Sequence, residues 1–291
     1  MIVMTKNYLV FDIGGTSIKY GLIDEQLQLS HIGSCRTLHN ADGHILKMLK
    51  QLSRDYTNNY EVAGIGVSTA GIVGADGAIQ YAGPTITDYQ GTPIKDELAQ
   101  LTGLPVFVVN DVDACLLGEQ LAGSAKDANS AYCIALGTGI GGAYLANGRL
   151  LSGAHGTANS IGYTLYDPQT KTNYEQRAST LTLDRELVKY QISVKDAFAA
   201  AKQGNQQYLT IIDDWAATVA AGLAQIMLLF DPEVLVIGGA ESQQGCFLLD
   251  LLQKNIDKLI PENLCQTRLE VAVLADKAQL FGAASGLMQK K

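Results

Sequence analysis

The sequence has no paired-cysteine spacing, no basic excess and no low-complexity stretch, and each absence removes a class of protein. Its five cysteines (Cys35, Cys115, Cys133, Cys246, Cys265) are scattered, odd in number and never arranged C-x-x-C. That pattern excludes a disulfide framework and reads as reduced thiols of a cytoplasmic protein. A net charge of −8 disfavours nucleic acid as a partner and gives no reason to expect an anionic membrane surface. The start, Met1-Ile2-Val3-Met4-Thr5-Lys6, has no apolar signal segment after a basic one, and no run is expected to reach transmembrane length. No long linker is evident either. What the chain does have is 47% hydrophobic residues over 291 positions, enough for sizeable cores in one large domain or two.

The stretch that organises the rest is Phe11-Asp12-Ile13-Gly14-Gly15-Thr16. It follows the apolar run Tyr8-Leu9-Val10, the end of a buried strand, and precedes Ser17–Ile23, a second strand. The loop is therefore a hairpin tip. Two glycines permit a turn at positive φ and let backbone N–H groups approach an anion closely. Thr16 adds a hydroxyl donor, and Asp12 can hold a divalent metal directly or through water. A magnesium- and nucleotide-using phosphotransferase is the chemistry implied. An ordinary Gly-Gly turn closed by Asp is the bland alternative.

Further along, Leu27–Thr37 supplies a third antiparallel strand, and Asn40 or Asp42 caps a helix with Ile45, Leu46, Leu49 and Leu52 at helical spacing. A strand over Glu61–Ser68 runs into Thr69-Ala70-Gly71-Ile72-Val73, where backbone is exposed at a strand's carboxyl end, the usual ligand position in open α/β sheets. A short hairpin (Gly74–Ile79), a loop (Gly83–Thr92) and a helix opened by Pro93 follow. The strand Leu104–Val109 ends in Asn110-Asp111, ahead of a helix over Val112–Leu121. Asp111 reads as an N-cap, as a general base at a strand end, or as both.

The strand Ala131–Leu136 leads into Gly137-Thr138-Gly139-Ile140-Gly141-Gly142, which fits a G-x-G-x-x-G dinucleotide fingerprint. That fingerprint must open a helix and be followed by an acid about 20 positions on. Here Ala143–Gly148 read as strand and turn, and Ser152–Ser160 contain no acid. Hydride transfer is rejected, and the segment reads as a second hairpin tip offering backbone N–H groups and Thr138 to phosphates. Two such tips make an internal duplication, with a nucleotide clamped between the halves as the expectation. Short helices over Thr182–Tyr190 and Val194–Lys202 precede a long one over Asn205–Phe230, whose apolar stripe reads as core and which Asp231-Pro232 stops. Val234–Ile237 is a buried strand ending in Gly238-Gly239, a third close-approach site. A helix (Gln244–Leu259), a strand (Leu269–Leu274) and a last helix (Lys277–Gln289) complete the chain.

The order Asp12–Thr16, Asn110-Asp111, Gly137–Gly142, Gly238-Gly239 and Gly282-Ala283-Ala284-Ser285-Gly286 resembles the sugar-kinase/Hsp70/actin superfamily, and within it the ROK (repressor, open reading frame, kinase) family. The resemblance implies an α/β fold of two ribonuclease-H-like (actin-like ATPase) domains flanking a central cleft. The expected division is 1–111 plus 276–291, and 112–275 with the long helix. It implies an ATP-dependent kinase acting on a hydroxyl, the primary 6-OH, of a hexose or hexose-containing glycoside, with Mg2+ near Asp12, and a homodimer. By resemblance Asp111 is the base, and Asn110 and Gly71 belong to the sugar site. Gly14, Gly15, Thr16, Thr138 and Gly139 face phosphates, and Gly238 and Gly239 face adenosine.

Departures from the family pattern fall on the sugar motif. In Gly153-Ala154-His155-Gly156-Thr157-Ala158-Asn159-Ser160-Ile161-Gly162-Tyr163, Ser160 stands where the family has a sugar-binding Glu, and Tyr163 where it has a sugar- and zinc-binding His. Thr164–Tyr174 contains no cysteine, so no structural zinc is expected there. Glu175-Gln176-Arg177-Ala178-Ser179 keeps the family's last element, so Glu175 is expected to reach the sugar, while His155 is a minor candidate for sugar contact. A shorter Ser160 implies a wider pocket near the first two carbons, suited to a glycoside, a disaccharide or another hexose epimer. A repressor of this family would carry a DNA-binding domain ahead of the first phosphate loop, where only eleven residues stand. A non-catalytic sugar sensor of the same fold is the competing reading.

Overall fold

A computed structural model of the chain describes residues 6–83 and 86–288. The expected end of the last helix at Gln289, and part of the expected Gly83–Thr92 loop, lie outside the described residues. The chain divides into two compact units, one of Met1–Gly123, Ser152–Ala158 and Asp276–Lys291, the other of Ser124–Leu151 and Asn159–Ala275.

In the first unit β1 (Asn7–Ile13), β2 (Ser17–Asp24) and β3 (Leu29–Arg36) form an antiparallel meander. After α1 (His44–Asn59), β4 (Gly64–Thr69) pairs in parallel with β1. A separate small hairpin joins β5 (Ile72–Val73) to β6 (Ile79–Tyr81). After α2 (Ile94–Thr102), β7 (Val106–Asn110) closes the sheet in the order β3-β2-β1-β4-β7 and leads into α3 (Asp111–Ala122). Alternation explains the packing. Leu9, Phe11, Ile13, Ile65 and Val67 share a core with Ile45, Leu49 and Leu52 of α1 and Ile94 and Leu98 of α2.

Of the two expected caps for α1, Asn40 does the work from outside the helix. Its Oδ1 accepts from Ile45 N at 3.1 Å, and its Nδ2 donates to Thr87 O. On the opposite face the C-terminal helix, Ala278–Met288, crosses α3 at glycines. A Cβ on Gly282 would lie 1.8 Å from Ala114 O, and one on Gly118 2.1 Å from Ala278 O. Backbone therefore meets backbone, which no larger residue permits.

The second unit repeats the plan. β8 (Ser130–Leu136), β9 (Ile140–Ala146) and β10 (Arg149–Leu150) form the meander. The helices α4 (Tyr174–Ala178), α5 (Thr180–Val188), α6 (Val194–Lys202) and α7 (Gln206–Phe230) follow. Then come β11 (Val234–Gly239), α8 (Cys246–Ile256) and β12 (Arg268–Val271), completing the order β10-β9-β8-β11-β12. A strand, β9, begins at Ile140 within Gly137–Gly142 where a dinucleotide fingerprint would open a helix, so the rejection of hydride transfer stands on geometry.

The expectation that no segment reaches transmembrane length meets one exception. Among the described residues, Gln206–Phe230 is long and apolar enough to cross a membrane. Its buried positions Ile212, Trp215, Val219, Leu223 and Ile226 form the core of the second unit together with Phe198 and Leu252. The Trp215 ring meets Phe198 edge-on at 6.2 Å, and its Nε1 donates to Ala178 O at 3.0 Å. The apolar stripe is accounted for by core packing.

Candidate active site

In the first unit the strand register gathers the candidate side chains. Parallel pairing sets Asp12 of β1 opposite Ser68 of β4, and Thr69 of β4 opposite Asn110 of β7. All lie at the carboxyl ends of three neighbouring parallel strands, where open α/β sheets bind ligands. Ser68 is fully buried, and its Oγ donates to Asp12 Oδ1 at 3.1 Å. Lys19, cross-strand from Asp12, adds positive charge and pairs with Asp276 at 3.5 Å.

The cap of α3 is Asn110, not Asp111, which corrects the sequence expectation. Asn110 is extended (φ −61°, ψ 152°), and its Oδ1 accepts from Val112 N and Asp113 N. Its Nδ2 donates to Gly71 O at 2.8 Å, tying the strand end to the turn at Gly71 (φ +99°). Asp111 is thus the first residue of the helix, with its Oδ1 accepting from Val112 N at 3.0 Å.

Burial, and then the negative charge of Asp12, push the Asp111 carboxyl up to about 6. Burial and Asp111 in turn push Asp113 up to about 7. Asp12 is raised too, chiefly by burial, with Ser68 and Lys19 opposing the rise and Asp276 adding to it. A carboxyl near 6 is mostly ionised at neutral pH and still basic enough to take a proton.

The first glycine-rich turn is built differently from the expectation. Neither Gly14 nor Gly15 sits at positive φ. The hairpin closes instead through Gly14 N, which donates to Ser17 O at 2.9 Å, while Thr37 anchors the tip through Gly15 O and Thr16 O. Gly14 therefore spends its N–H on the turn, and Gly15 and Thr16 form its outward part. His155 is exposed in the loop segment Ser152–Ala158 of the same unit.

In the second unit the turn at Gly137–Gly142 is held from three directions. Gly137 N donates to Gly139 O at 3.0 Å, and Thr180 N donates to Gly137 O at 2.9 Å. Ile140 N donates to Glu175 Oε2 at 2.7 Å. Glu175, expected at the sugar, thus has one carboxylate oxygen on this turn. Gly238 and Gly239 pair with Ala135 and Leu136 at the neighbouring strand end. Gly239 (φ +92°) runs so close that a Cβ would lie 1.9 Å from Leu136 O.

Ser160 precedes a short 3-10 turn (Ile161–Tyr163) that Tyr163 ends, with Tyr163 N donating to Ser160 O at 3.0 Å, and the Tyr163 ring is largely exposed. The 165–172 segment is stapled by Arg177, which donates to Leu165 O at 2.5 Å and Thr172 O at 2.6 Å. Three residues that the sequence reading passed over matter here. Ser68 and Lys19 tune Asp12, and Glu241, buried just after Gly239, has its carboxyl raised by burial. Only strand pairing reveals the first two. Glu241 could have been flagged as an acid directly after a buried strand and its Gly-Gly end.

Magnesium suits the donor set. It takes one or two carboxylates and completes its octahedron with phosphates and waters. Asp12 offers such a carboxylate, and among the described residues no group of three His, Cys, Asp or Glu could hold a metal alone.

Two α/β units of matched strand order, each with a glycine-rich hairpin turn beside the carboxyl ends of its parallel strands, form the actin-like ATPase fold of the ROK sugar kinases. The chain matches the ROK family over residues 8–290 and belongs to it. It is 28% identical to a glucokinase of Thermotoga maritima, with 96% of each chain covered. It is 27% identical to a β-glucoside kinase of Listeria innocua, with 97% of each covered. A crystal structure of a ROK family glucokinase from Streptomyces griseus, in complex with glucose and AMPPNP, is similar with a TM-score of 0.81 and 29% identity, covering 96% of this chain and 98% of that one.

Proposed function

We infer that this ROK family member, an ATP-dependent carbohydrate kinase, transfers the γ-phosphoryl group to the primary 6-OH of a hexose or a hexose-containing glycoside. The observation that carries the reading is Asp111. It is a carboxyl on the first residue of α3, directly after β7, pushed up to about 6 by burial and by Asp12, and so suited to accept a hydroxyl proton at neutral pH.

The roles follow from chemistry. Asp12, oriented by Ser68, would hold Mg2+ through water. The ion's contribution when bound is to neutralise charge on the phosphate oxygens. Gly15 and Thr16 in one unit, and Thr138 and Gly139 in the other, are assigned to phosphates, with Gly14 shaping the first turn. Gly238 and Gly239 are assigned to adenosine, where the lack of side chains allows a flat ring to approach. Asp111 orients the acceptor hydroxyl and takes its proton. Positioning and electrostatics suffice, because phosphoryl transfer asks little covalent work of the protein.

For the sugar, Asn110, Gly71, Glu175, Ser160, Tyr163 and His155 are the proposed contacts. Ser160 replaces a longer acid and so removes a demand for a hydroxyl near the anomeric end. The names of the relatives support both a free hexose and a β-glucoside. The short Ser160 and the exposed Tyr163 ring favour a glycoside. A homodimer belongs to the same reading.

The test is coupled ADP release with Mg-ATP against glucose, mannose, N-acetylmannosamine, fructose, cellobiose and sucrose. A glycoside turned over with the highest kcat/KM is expected. Binding of a sugar by calorimetry without ADP release from any of them would overturn the kinase reading in favour of a sensor.

A further inference from the structure

Glu175 was expected at the sugar, yet its best-defined contact is with the backbone of the second glycine-rich turn. Its Oε2 accepts the Ile140 N–H at 2.7 Å, a charge-assisted bond. The same oxygen would lie 2.6 Å from a Cβ on Gly139, and Glu175 Cβ 3.3 Å from one on Gly162. A Cβ at Gly139 would therefore displace the carboxylate from the turn, and one at Gly162 would meet Ile140 O at 2.4 Å.

The element that carries Glu175 is anchored on every side. Asn173 and Gln176 form a capping box at the start of α4. Tyr174 is buried, its hydroxyl donating to Val219 O of α7 at 2.7 Å, with its ring against Gly222. Arg177 ties the other side to Leu165 O and Thr172 O. One residue beyond α4 and its cap, Thr180 N donates to Gly137 O, the base of the same turn. Glu175 of α4 and Thr180, the first residue of α5, thus grip the turn at both ends, at Ile140 and at Gly137. The stretch between these points is Thr138-Gly139.

We propose that Glu175 is a positioning residue of the nucleotide-phosphate turn. By engaging the Ile140 N–H it fixes the backbone so that Thr138 and Gly139 present their donors in one orientation. The cost of ordering that tip is then met before nucleotide arrives, which raises affinity. The proposal rests on the assignment of this turn to phosphates, and it is separate from any contact of Glu175 with sugar.

The experiment measures the Kd of Mg-AMPPNP by calorimetry in the absence of sugar, so that a direct sugar contact cannot enter the readout. Glu175→Ala is expected to weaken binding about tenfold or more, as loss of a hydrogen bond to a charged group would. Glu175→Gln, whose amide oxygen can accept the same N–H, is expected to stay within about threefold of wild type. Gly139→Ala, which pushes the carboxylate away, should weaken binding like Glu175→Ala, and the double variant should lose no more than either alone. It also serves as the readout if Glu175→Ala does not fold. Wild-type affinity in Glu175→Ala, or Glu175→Gln as weak as Glu175→Ala, overturns the positioning role alone. A wild-type protein that binds no Mg-AMPPNP overturns the phosphate assignment together with it.

Discussion

The two units share one sheet order and differ in what they place at the strand ends. The first ends its central strands in side chains: Asp12, Ser68, and Asn110 leading to Asp111. The second ends them in backbone: Gly137–Gly142 and Gly238-Gly239, with Glu175 bonded to the turn from outside. A duplicated scaffold has thus divided charge from close approach. The first unit's strand ends should be sensitive to changes of ionisation and its Gly14 turn tolerant of a small change of shape, and the second unit's strand ends and turn the reverse.

The largest effect expected is in the first unit. Asp111→Asn should lower kcat by about 10³ while sugar Kd, measured by calorimetry, stays within about threefold. The same change replaces a carboxyl that burial and Asp12 disfavour in its ionised form. Its melting temperature at pH 7.5 should therefore rise, by about 2 °C or more. A variant that keeps turnover, or melts lower than wild type, contradicts the assignment of Asp111 as a strained, ionised base.

Shape is the corresponding test of the second unit. Gly239→Ala places a methyl 1.9 Å from Leu136 O on a residue at φ +92°. A loss of about 3 kcal/mol or more in urea unfolding, or failure to fold, is expected. Gly14→Ala meets nothing nearer than Ser17 O at 3.6 Å, and Gly14 is not at positive φ, so it should stay within about 0.5 kcal/mol of wild type. Equal losses at the two glycines would erase the contrast between the units.

The sequence made the hairpins visible because period-two alternation and Gly-Gly or Gly-Thr punctuation stand close together. It also marked Val194–Lys202 to the residue and the long helix to within one, since both carry caps and a sustained apolar stripe. It did not show α4, which is too short for periodicity and announced only by Asn173 and Gln176 at capping-box spacing. That omission hid the bond from Glu175 to Ile140. Nor could it choose between Asn110 and Asp111 as the cap, because both are strong cap formers and adjacent. Backbone direction at the strand end decided it. The Ser68–Asp12 bond joins residues 56 positions apart, and only the parallel register of β1 and β4 brings them opposite.

Acidity gives a further way to sharpen the contrast, because the raised carboxyls of Asp12, Asp111 and Asp113 cluster around the first unit's strand ends. With Asp111 at about 6, kcat/KM should fall about tenfold per pH unit below 6 and level off above about 7. Stability should run the other way. Asp111 and Asp113 have folded values above the ordinary carboxylate value, so between about 4 and 7 the folded state keeps protons that the unfolded chain has released. Stability is then greatest at the acidic end of that window and declines as pH rises through it. Melting temperatures measured from pH 4.5 to 8 should show this decline, and Asp111→Asn should flatten it. An activity limb nearer 4, or stability rising across the window, would show that these carboxyls are not raised.

The smallest effect expected separates the tuning of Asp12 from its presence. Ser68 Oγ donates to Asp12 Oδ1 and so lowers a carboxyl that burial raises. Ser68→Ala removes a bond of about 1 kcal/mol and leaves a void no larger than one oxygen, so Asp12 should hold its proton to higher pH. If Asp12 carries magnesium through water, protons and metal compete for it. The apparent KM for Mg2+ should then be higher in Ser68→Ala than in wild type at the acidic end of the range, approach the wild-type value as pH rises, and leave kcat at saturating Mg2+ unchanged. An increase that persists undiminished at pH 8 would point to a displaced Asp12 side chain rather than a protonated one. No increase at any pH would count against Asp12 as the residue that holds the metal through water, and with it the division of labour in which the first unit supplies the charge.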